Sequence, residues 1–470
     1  MSLDKQVGKD GSIVALTNSL GTAPIGKLLL KYSLPAITAN LVTALYGVLD
    51  RIFVGRGIGE DALGGISLSM VAMSVGTALG ALFGLGSANL ISIYLGRHEE
   101  KEAENTWAHA FWLLVITGSL LLFFGVVFVD RILILSGGQV DSQIFPLARR
   151  FTRIVMLGSV FLTLAVGMSH IIRSQGFPTI SMVGMLLGSA VNVIAAPLFI
   201  FVLHWDVEGA ALATVIAQFA SMLFFIVFMY QKRDILHIHL LSIHPSIRVI
   251  RKIFVYGAQQ GIVQFAAVFI FVIFNFSIYR YAAGSLGVDN GGDIVLSGMN
   301  VIGVLIMLIY QPVYGVAQAA QPLIGYNYGA RNFTRVKKVY KRAILASSSI
   351  CLFGMLLFLI FPTQIIGIFV PDASAEFFSF SVRALRIATV SLPFIGYQIV
   401  SSYLFASTER PKTSFFLASL RQIILLIPII IVAGYFFGVY GIMTASPLAD
   451  MISCIPTAIM IYFEMKRLRE

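Results

Sequence analysis

The chain has 470 residues, of which 58% are apolar and 12% are charged, and its mean hydropathy is +0.88. Soluble domains carry about a quarter charged residues, so this composition excludes an ordinary soluble protein and predicts a membrane protein. The formal net charge of +11 would suggest a nucleic-acid partner in a soluble chain. Here we expect no nucleic acid, because membrane topology accounts for the placement of the basic residues.

Apolar runs long enough to cross about 30 Å of hydrocarbon recur along the chain, and they lack the alternation of a barrel strand. They predict an all-α integral membrane protein with twelve transmembrane helices. The predicted spans cover residues 28–54, 63–94, 106–129, 144–172, 179–203, 207–230, 252–281, 294–325, 338–361, 377–406, 413–434 and 438–463.

The chain begins with a polar segment, residues 1–26, which has no apolar core followed by a small-residue cleavage site. We therefore expect a cytoplasmic segment rather than a signal peptide. Basic residues favour the loops on one side of the predicted helices, which places both termini in the cytoplasm of a multi-pass cell-membrane protein. These basic residues include Lys27, Lys31, Arg97, Lys101, Arg173, Lys232, Arg331, Arg410 and Lys466.

The two halves of the chain repeat one another at an offset of 233 residues, at which Gly96 matches Gly329 and Pro178 matches Pro411. Each half has six predicted spans, so both halves enter the membrane in the same orientation. The sequence thus predicts two six-helix bundles, residues 27–231 and 251–470 including a short cytoplasmic tail, related by a pseudo-two-fold axis along the membrane normal. Substrate is expected in the cleft between them.

A cytoplasmic linker, residues 232–250, is predicted to join the bundles. Its His237, His239 and His244 could form a metal site, but no acidic or cysteine partner lies at ligand spacing, so a solvated linker is favoured and no metal is expected. Cys351 and Cys454 lie inside predicted spans at unrelated positions, which indicates neither a disulfide nor a metal motif.

Asp50 is the clearest acidic residue within a predicted span, and a carboxylate there is a functional candidate because its burial in hydrocarbon is costly. Tyr46, one helical turn earlier, shares its face. Asn192 and Thr214 add polar groups on the fifth and sixth helices. A carboxylate in this setting can take up and release a proton, although an ion pair with Arg51 at the outer interface or hydrogen bonding between helices would also explain these residues.

Neutral polar side chains are numerous on the seventh and eighth predicted helices and could line a substrate cavity or join helices to one another. The cavity candidates are Gln259, Gln260, Gln264, Asn275, Asn300, Gln311 and Gln318. The 37 phenylalanines and 16 methionines suit a deformable apolar pocket, although many will face lipid. Asp450, in the twelfth span, has no obvious partner in the sequence.

No catalytic signature is present: the sequence contains no phosphate-binding glycine loop with its lysine, no zinc-binding helix motif and no nucleophile elbow. We therefore expect neither an enzyme nor a cofactor.

Several motifs in order resemble the multidrug and toxic compound extrusion (MATE) family of secondary transporters, over residues 25–465. They are Tyr46–Gly55, Leu95–Gly96, Arg150-x-x-Arg153, Arg173-x-x-Gly176, Val207–Thr214 and Tyr328–Asn332. The resemblance implies export of amphipathic, often cationic, organic compounds in exchange for H⁺ or Na⁺. It further implies that Asp50 is the coupling carboxylate, that Tyr46, Asn192 and Thr214 are its partners, and that Pro35 bends the first helix.

One departure concerns the coupling ion. Members of the family often have an aspartate four residues after the fifth-helix asparagine, and here that position is Ala196. A sodium site would lose one carboxylate, which favours H⁺ and leaves Na⁺ open. The alternative functions are a lipid-linked precursor flippase, whose known forms have about two more spans and a strongly basic cavity, and a non-transporting membrane scaffold. We expect a monomer with membrane lipid around it.

Overall fold

A computed structural model describes residues 19–136, 138, 140–231, 245–282, 291–369 and 374–468. Within these residues the chain is helical and contains no strand, as the composition predicts. The helices of the first half are α1 (Ile25–Gly57), α2 (Glu60–Gly96), α3 (Glu100–Val127), α4 (Val129–Leu135), α5 (Ile144–Leu157), α6 (Ser159–Ser174), α7 (Pro178–Pro197) and α8 (Asp206–Gln231).

The second half follows the same order. Its helices are α9 (Ile247–Ala282), α10 (Gly291–Gly329), α11 (Phe333–Ile360), α12 (Pro362–Phe369), α13 (Ala375–Thr389), α14 (Leu392–Ser407), α15 (Pro411–Ser419) and α16 (Ile427–Arg467). Two π-helical segments, Leu198–Val202 and Leu420–Leu426, extend α7 and α15. Most of the predicted linker, including its three histidines, lies outside the described residues.

Length and hydropathy alone identify eight spanning helices in the described ranges, or ten when two bent helix pairs each count as one span. The segment Pro411–Arg467 counts once there, although Gly438, with φ 59° and ψ −139°, breaks it. A Cβ on Gly441 would overlap the carbonyl oxygen of Ala433, so the two parts lie side by side as two spans. The ten spans, the additional span created by the break at Gly438, and α9, the repeat partner of α1, together give the predicted twelve transmembrane helices.

The fourth and tenth spans differ from their sequence prediction, because each consists of two helices. The angle between α5 and α6 is 55°, and that between α13 and α14 is 45°. Gly158 lies at the first bend, where a Cβ would meet Val215 Cγ2 at 2.8 Å, so α8 packs against the bend. Pro393 lies in the first turn of α14, where its missing N–H costs no helical hydrogen bond.

The halves meet most closely along α2, which packs against α9 and α10. Added Cβ atoms at Gly86 and Gly257 would overlap the carbonyl oxygens of Ile253 and Leu82, respectively. Small residues allow helix backbones in membranes to approach this closely. These contacts lie toward the end of the molecule that carries Arg97, Arg331 and Arg410, which we call the basic end.

The segment before α1 crosses to the other half at the basic end. Leu20 is buried there, and the Arg335 guanidinium donates hydrogen bonds to the carbonyl oxygens of Leu20 at 3.1 Å and Ala23 at 2.7 Å. The Asn327 amide also donates to the Leu20 oxygen, at 3.0 Å. This N-terminal latch, residues 19–24, is thus bound to α10 and α11 of the second half.

Candidate binding cavity

A cavity of about 470 Å³ lies between the two halves. Helices α1, α2, α6, α7 and α8 line it from the first half, and α9 and α10 line it from the second. This volume falls in the range of about 300–1,000 Å³ that is typical of sites for drug-sized ligands. Its wall combines apolar side chains with hydroxyl and amide groups, and so could hold an amphipathic molecule.

Four of the predicted cavity residues do line this space: Gln260 and Gln264 from α9, and Gln311 and Gln318 from α10. Two others, Gln259 and Asn300, are not among the residues that line it. Gln259 lies outside the cavity and accepts a hydrogen bond from the Ser414 hydroxyl at 2.7 Å. Asn300 is exposed, and Asn275 lies in α9 with its side chain outside the described atoms.

The four residues predicted to couple transport to an ion come from three neighbouring helices. Tyr46 and Thr214 line the cavity and their side chains interact. The Asn192 amide donates to the Thr214 hydroxyl at 3.4 Å. Asp50 is half-buried one turn beyond Tyr46. The Oδ1 atoms of Asp50 and Asn192 are buried without a hydrogen-bond partner among the described residues. Each can therefore accept a hydrogen bond or coordinate a cation.

Arg51 does not pair with Asp50 within the described residues. Its guanidinium instead donates to the Met70 sulfur at 3.0 Å, because successive helical residues point about 100° apart. The Ala196 side chain, at the position where a second carboxylate would stand, is fully buried. The described ranges also contain no group of three or more His, Cys, Asp or Glu side chains that could hold a metal ion.

Helix α1 passes the cavity without interruption at Pro35. Close to that proline, a Cβ on Gly315 of α10 would lie 2.8 Å from the Ile37 nitrogen, so α1 and α10 are in contact. Toward the opposite end, Gly47 of α1 and Gly303 of α10 have no atom within 4 Å of an added Cβ. Met307, which lines the cavity, is 45% exposed. The two helices therefore diverge away from the basic end.

At the basic end the cavity is closed. In addition to the glycine contacts, the Arg97 guanidinium forms an ion pair with Glu409 at 2.7 Å. The Ser407 hydroxyl donates to Asn89 Oδ1 at 3.1 Å. Both interactions join the first half to the second, so the structure has one closed end and one separated end.

Arg173 lies at the floor of the cavity, although its place after the apolar run predicted a loop residue. That prediction is wrong: the residue is only 4% exposed and lines the cavity. Its guanidinium donates to Gln318 Oε1 at 2.6 Å and to the Ser181 hydroxyl at 3.4 Å. Close by, the Tyr403 hydroxyl donates to Gln260 Oε1 at 3.1 Å.

Asp450 has a partner that the sequence analysis missed. Arg421 Nε donates to Asp450 Oδ1 at 2.6 Å, and the Ser391 hydroxyl donates to Oδ2 at 2.9 Å. The signal in the sequence was an arginine inside the predicted span 413–434. A basic residue within a span usually indicates an acidic partner on a neighbouring helix.

Comparison with known proteins agrees with this architecture. The MatE family model matches residues 35–198 and 265–432, one match in each half. The chain is 24% identical over 447 residues to the multidrug export protein MepA of Staphylococcus aureus (strain MRSA252), which covers 95% of both chains. It is also 24% identical over 444 residues to the Staphylococcus saprophyticus protein of the same name, with 94% of both covered.

A solved structure of similar fold is described as the outward-facing conformation of a multidrug resistance MATE family transporter of the MOP superfamily. Its TM-score to this chain is 0.87 at 23% identity, and the alignment covers 96% of this chain and 98% of that one. The fold is therefore shared over nearly the whole of both chains.

Proposed function

Because the chain belongs to the MATE family of transporters, we propose that it exports amphipathic, often cationic, organic compounds across the cell membrane in exchange for protons. Transporters of this family are not enzymes. In this proposal both termini lie in the cytoplasm, so that the basic end faces the cytoplasm and the separated end faces outward.

The cavity between the halves supports transport by alternating access. It is closed at the basic end by direct contacts between α2 and the second half, while α1 and α10 diverge at the opposite end. Rocking of one bundle against the other would reverse this arrangement around a fixed binding site. In the state described here, the cavity would release its substrate to the outside.

Asp50 carries the proposed coupling. Its Oδ1 atom has no hydrogen-bond partner among the described residues, and Tyr46, one turn away, lies in the cavity wall. A proton arriving from outside would neutralise Asp50 and favour the outward-facing state that releases substrate. Loss of the proton to the cytoplasm would complete the cycle and leave a carboxylate that attracts the next cation.

Sodium is the second candidate for the coupling ion. The free Oδ1 atoms of Asp50 and Asn192 are the hard oxygen ligands that such an ion prefers, but Ala196 supplies none. A hard cation needs several oxygen ligands, and Ala196 leaves this site without the second carboxylate that would supply some of them, which favours the proton.

A flux experiment tests the proposal. Purified wild type and Asp50→Asn protein are reconstituted in proteoliposomes, and movement of a fluorescent organic cation is followed under a proton or a sodium gradient alone. The control is Asp61→Asn, which removes an exposed acidic residue at the start of α2, close in sequence to the end of α1 that carries Asp50. We expect proton-driven transport by the wild type and the control, and loss of that transport in Asp50→Asn.

The other outcomes separate the rival functions. Transport under sodium alone would assign sodium as the coupling ion. Equal transport by wild type and Asp50→Asn under both gradients would overturn the role of Asp50. Absence of gradient-driven transport of any cation would favour the flippase or the scaffold.

A further inference from the structure

Arg173 is a buried cation without a counter-ion. Its two hydrogen-bond acceptors, Gln318 and Ser181, are both neutral, and the described part of the chain offers it no carboxylate within ion-pair distance. Its place in the last turn of α6 gives it the partial negative charge of the helix C-terminus, which compensates a guanidinium only in part. A charge buried in this way is costly unless a further anionic partner reaches it.

Arg421 shows how the same fold treats a buried guanidinium that needs no ligand. It forms an ion pair with Asp450 at 2.6 Å, and Ser391 satisfies the second carboxylate oxygen. Arg173 has no equivalent of Asp450. Arg173 instead lines the cavity between the halves, where a molecule inside that cavity can reach it.

The charge of the cavity wall also favours an anion. Arg173 is the one charged side chain among the described lining residues, and no aspartate or glutamate is among them. Asp50 is not among the lining residues. A purely cationic ligand would therefore meet a fixed positive charge at the cavity floor, whereas a ligand with a negative group would neutralise it.

We propose that Arg173 anchors an anionic group of the exported compound, so that the cavity prefers amphiphiles carrying a carboxylate, sulfonate or phosphate to purely cationic ones. This inference rests on the proposed export function and specifies its substrate class. In this structure Gln318 Oε1 accepts from the guanidinium. An anionic oxygen would replace that neutral acceptor and form a shorter, stronger charge-assisted hydrogen bond.

The test compares two fluorescent probes that differ in one charge: N-(carboxypropyl)acridinium, a zwitterion, and its methyl ester, a cation with the same ring system. Binding to detergent-purified full-length protein is measured by fluorescence anisotropy. For the wild type we expect a Kd for the zwitterion at least about tenfold below that for the ester, as one charge-assisted bond typically provides.

Three variants make the ratio of the two Kd values informative. Arg173→Gln should bring the ratio to about one, whereas Arg173→Lys, which keeps the charge, should retain most of the preference. The control Arg421→Gln with Asp450→Asn removes a buried guanidinium together with its counter-ion and should leave the ratio unchanged. Arg173 and Gln318 belong to different halves, so the variants could also shift the conformational equilibrium. Such a shift would change both Kd values by a common factor and would leave their ratio unchanged.

The outcomes keep this inference separate from the export function. Equal wild-type affinity for the two probes, or a preference that survives in Arg173→Gln, would overturn the anion site even if the ester is transported. Conversely, if proteoliposomes transport neither probe, the export function fails, while a Kd ratio that depends on Arg173 would still establish the anion site.

Discussion

Gly96 and Gly329 face each other across the interface between the halves: a Cβ added to Gly329 would lie 3.2 Å from the Cα of Gly96. The two glycines are partners in the sequence repeat. Their contact therefore marks where the pseudo-two-fold axis leaves the molecule at the basic end. A repeat position that meets its own counterpart on an axis must have a small side chain in both copies.

Gly329→Ala should weaken closure at this end. The added Cβ would overlap the Ile93 carbonyl oxygen, so α2 and α10 must separate, and overpacking of this kind costs about 1–3 kcal/mol. We expect the state with an open basic end to become populated. The measurement is the distance between spin labels at the exposed positions Glu99 and Arg331, which should lengthen or become bimodal.

The matched control for that experiment is Gly367→Ala in α12, where a Cβ would have no atom within 4 Å. Its distance distribution should equal that of the wild type. An unchanged distribution in Gly329→Ala would show that the glycine contact does not limit opening.

Arg335→Ala should release the N-terminal latch. The change removes two hydrogen bonds from a charged donor to the carbonyl oxygens of Leu20 and Ala23, and such bonds contribute about 1.5–3 kcal/mol each. Maleimide labelling of a cysteine at position 20 should then be at least about tenfold faster than in the parent protein. The control Lys338→Ala changes an exposed residue three positions further along α11 and should leave the labelling rate unchanged. Equally slow labelling of the parent protein and of Arg335→Ala would show that Arg335 does not hold the segment.

Asp450→Asn should destabilise the second half more than removal of the whole ion pair. The single change leaves Arg421 buried without a charge partner, at a cost of about 3–5 kcal/mol, whereas replacing both residues by apolar ones of similar size is often neutral. Thermal unfolding in detergent should show a large fall in Tm for Asp450→Asn and a small one for Arg421→Met with Asp450→Leu. Equal losses would indicate that the charges themselves are required.

Gly438→Ala should impair the turn between the last two spans. Gly438 has φ 59° and ψ −139°, a conformation open almost only to glycine, and forcing another residue into it costs about 1–3 kcal/mol. A lower Tm with an unchanged Kd ratio for the two acridinium probes is expected, because the hairpin lies away from the cavity. A wild-type Tm would show that the turn can relax.

The sequence was sufficient to predict the architecture, because spanning a bilayer requires helices of a minimum length and the repeat could be seen in Gly96, Pro178 and their counterparts. It was also sufficient to select Gln260, Gln264, Gln311 and Gln318 as cavity candidates. The bend at Gly158 was missed, since hydropathy is continuous across it.

The pairing of charges could not be predicted in the same way. Arg173 resembles a loop residue because it follows the last apolar residues of its span, and only packing against α10 shows that it is buried. Arg421 and Asp450 are on different helices, and their contact depends on the π-helical segment and on the hairpin at Gly438. The coupling assignments for Asp50, Tyr46, Asn192 and Thr214 stay predictions until the flux experiment is done.

The closed end of the cavity is sealed largely by main chain against main chain. Where the backbones of Gly86 and Gly257 lie against the opposing helices, no side chain has to change rotamer to make the seal, and the close contact leaves no room for water between them. Protons move along files of water molecules, so this barrier blocks the leakage of protons as well as the passage of substrate. A transporter built in this way can keep the membrane tight to ions while its binding site is open to the other side.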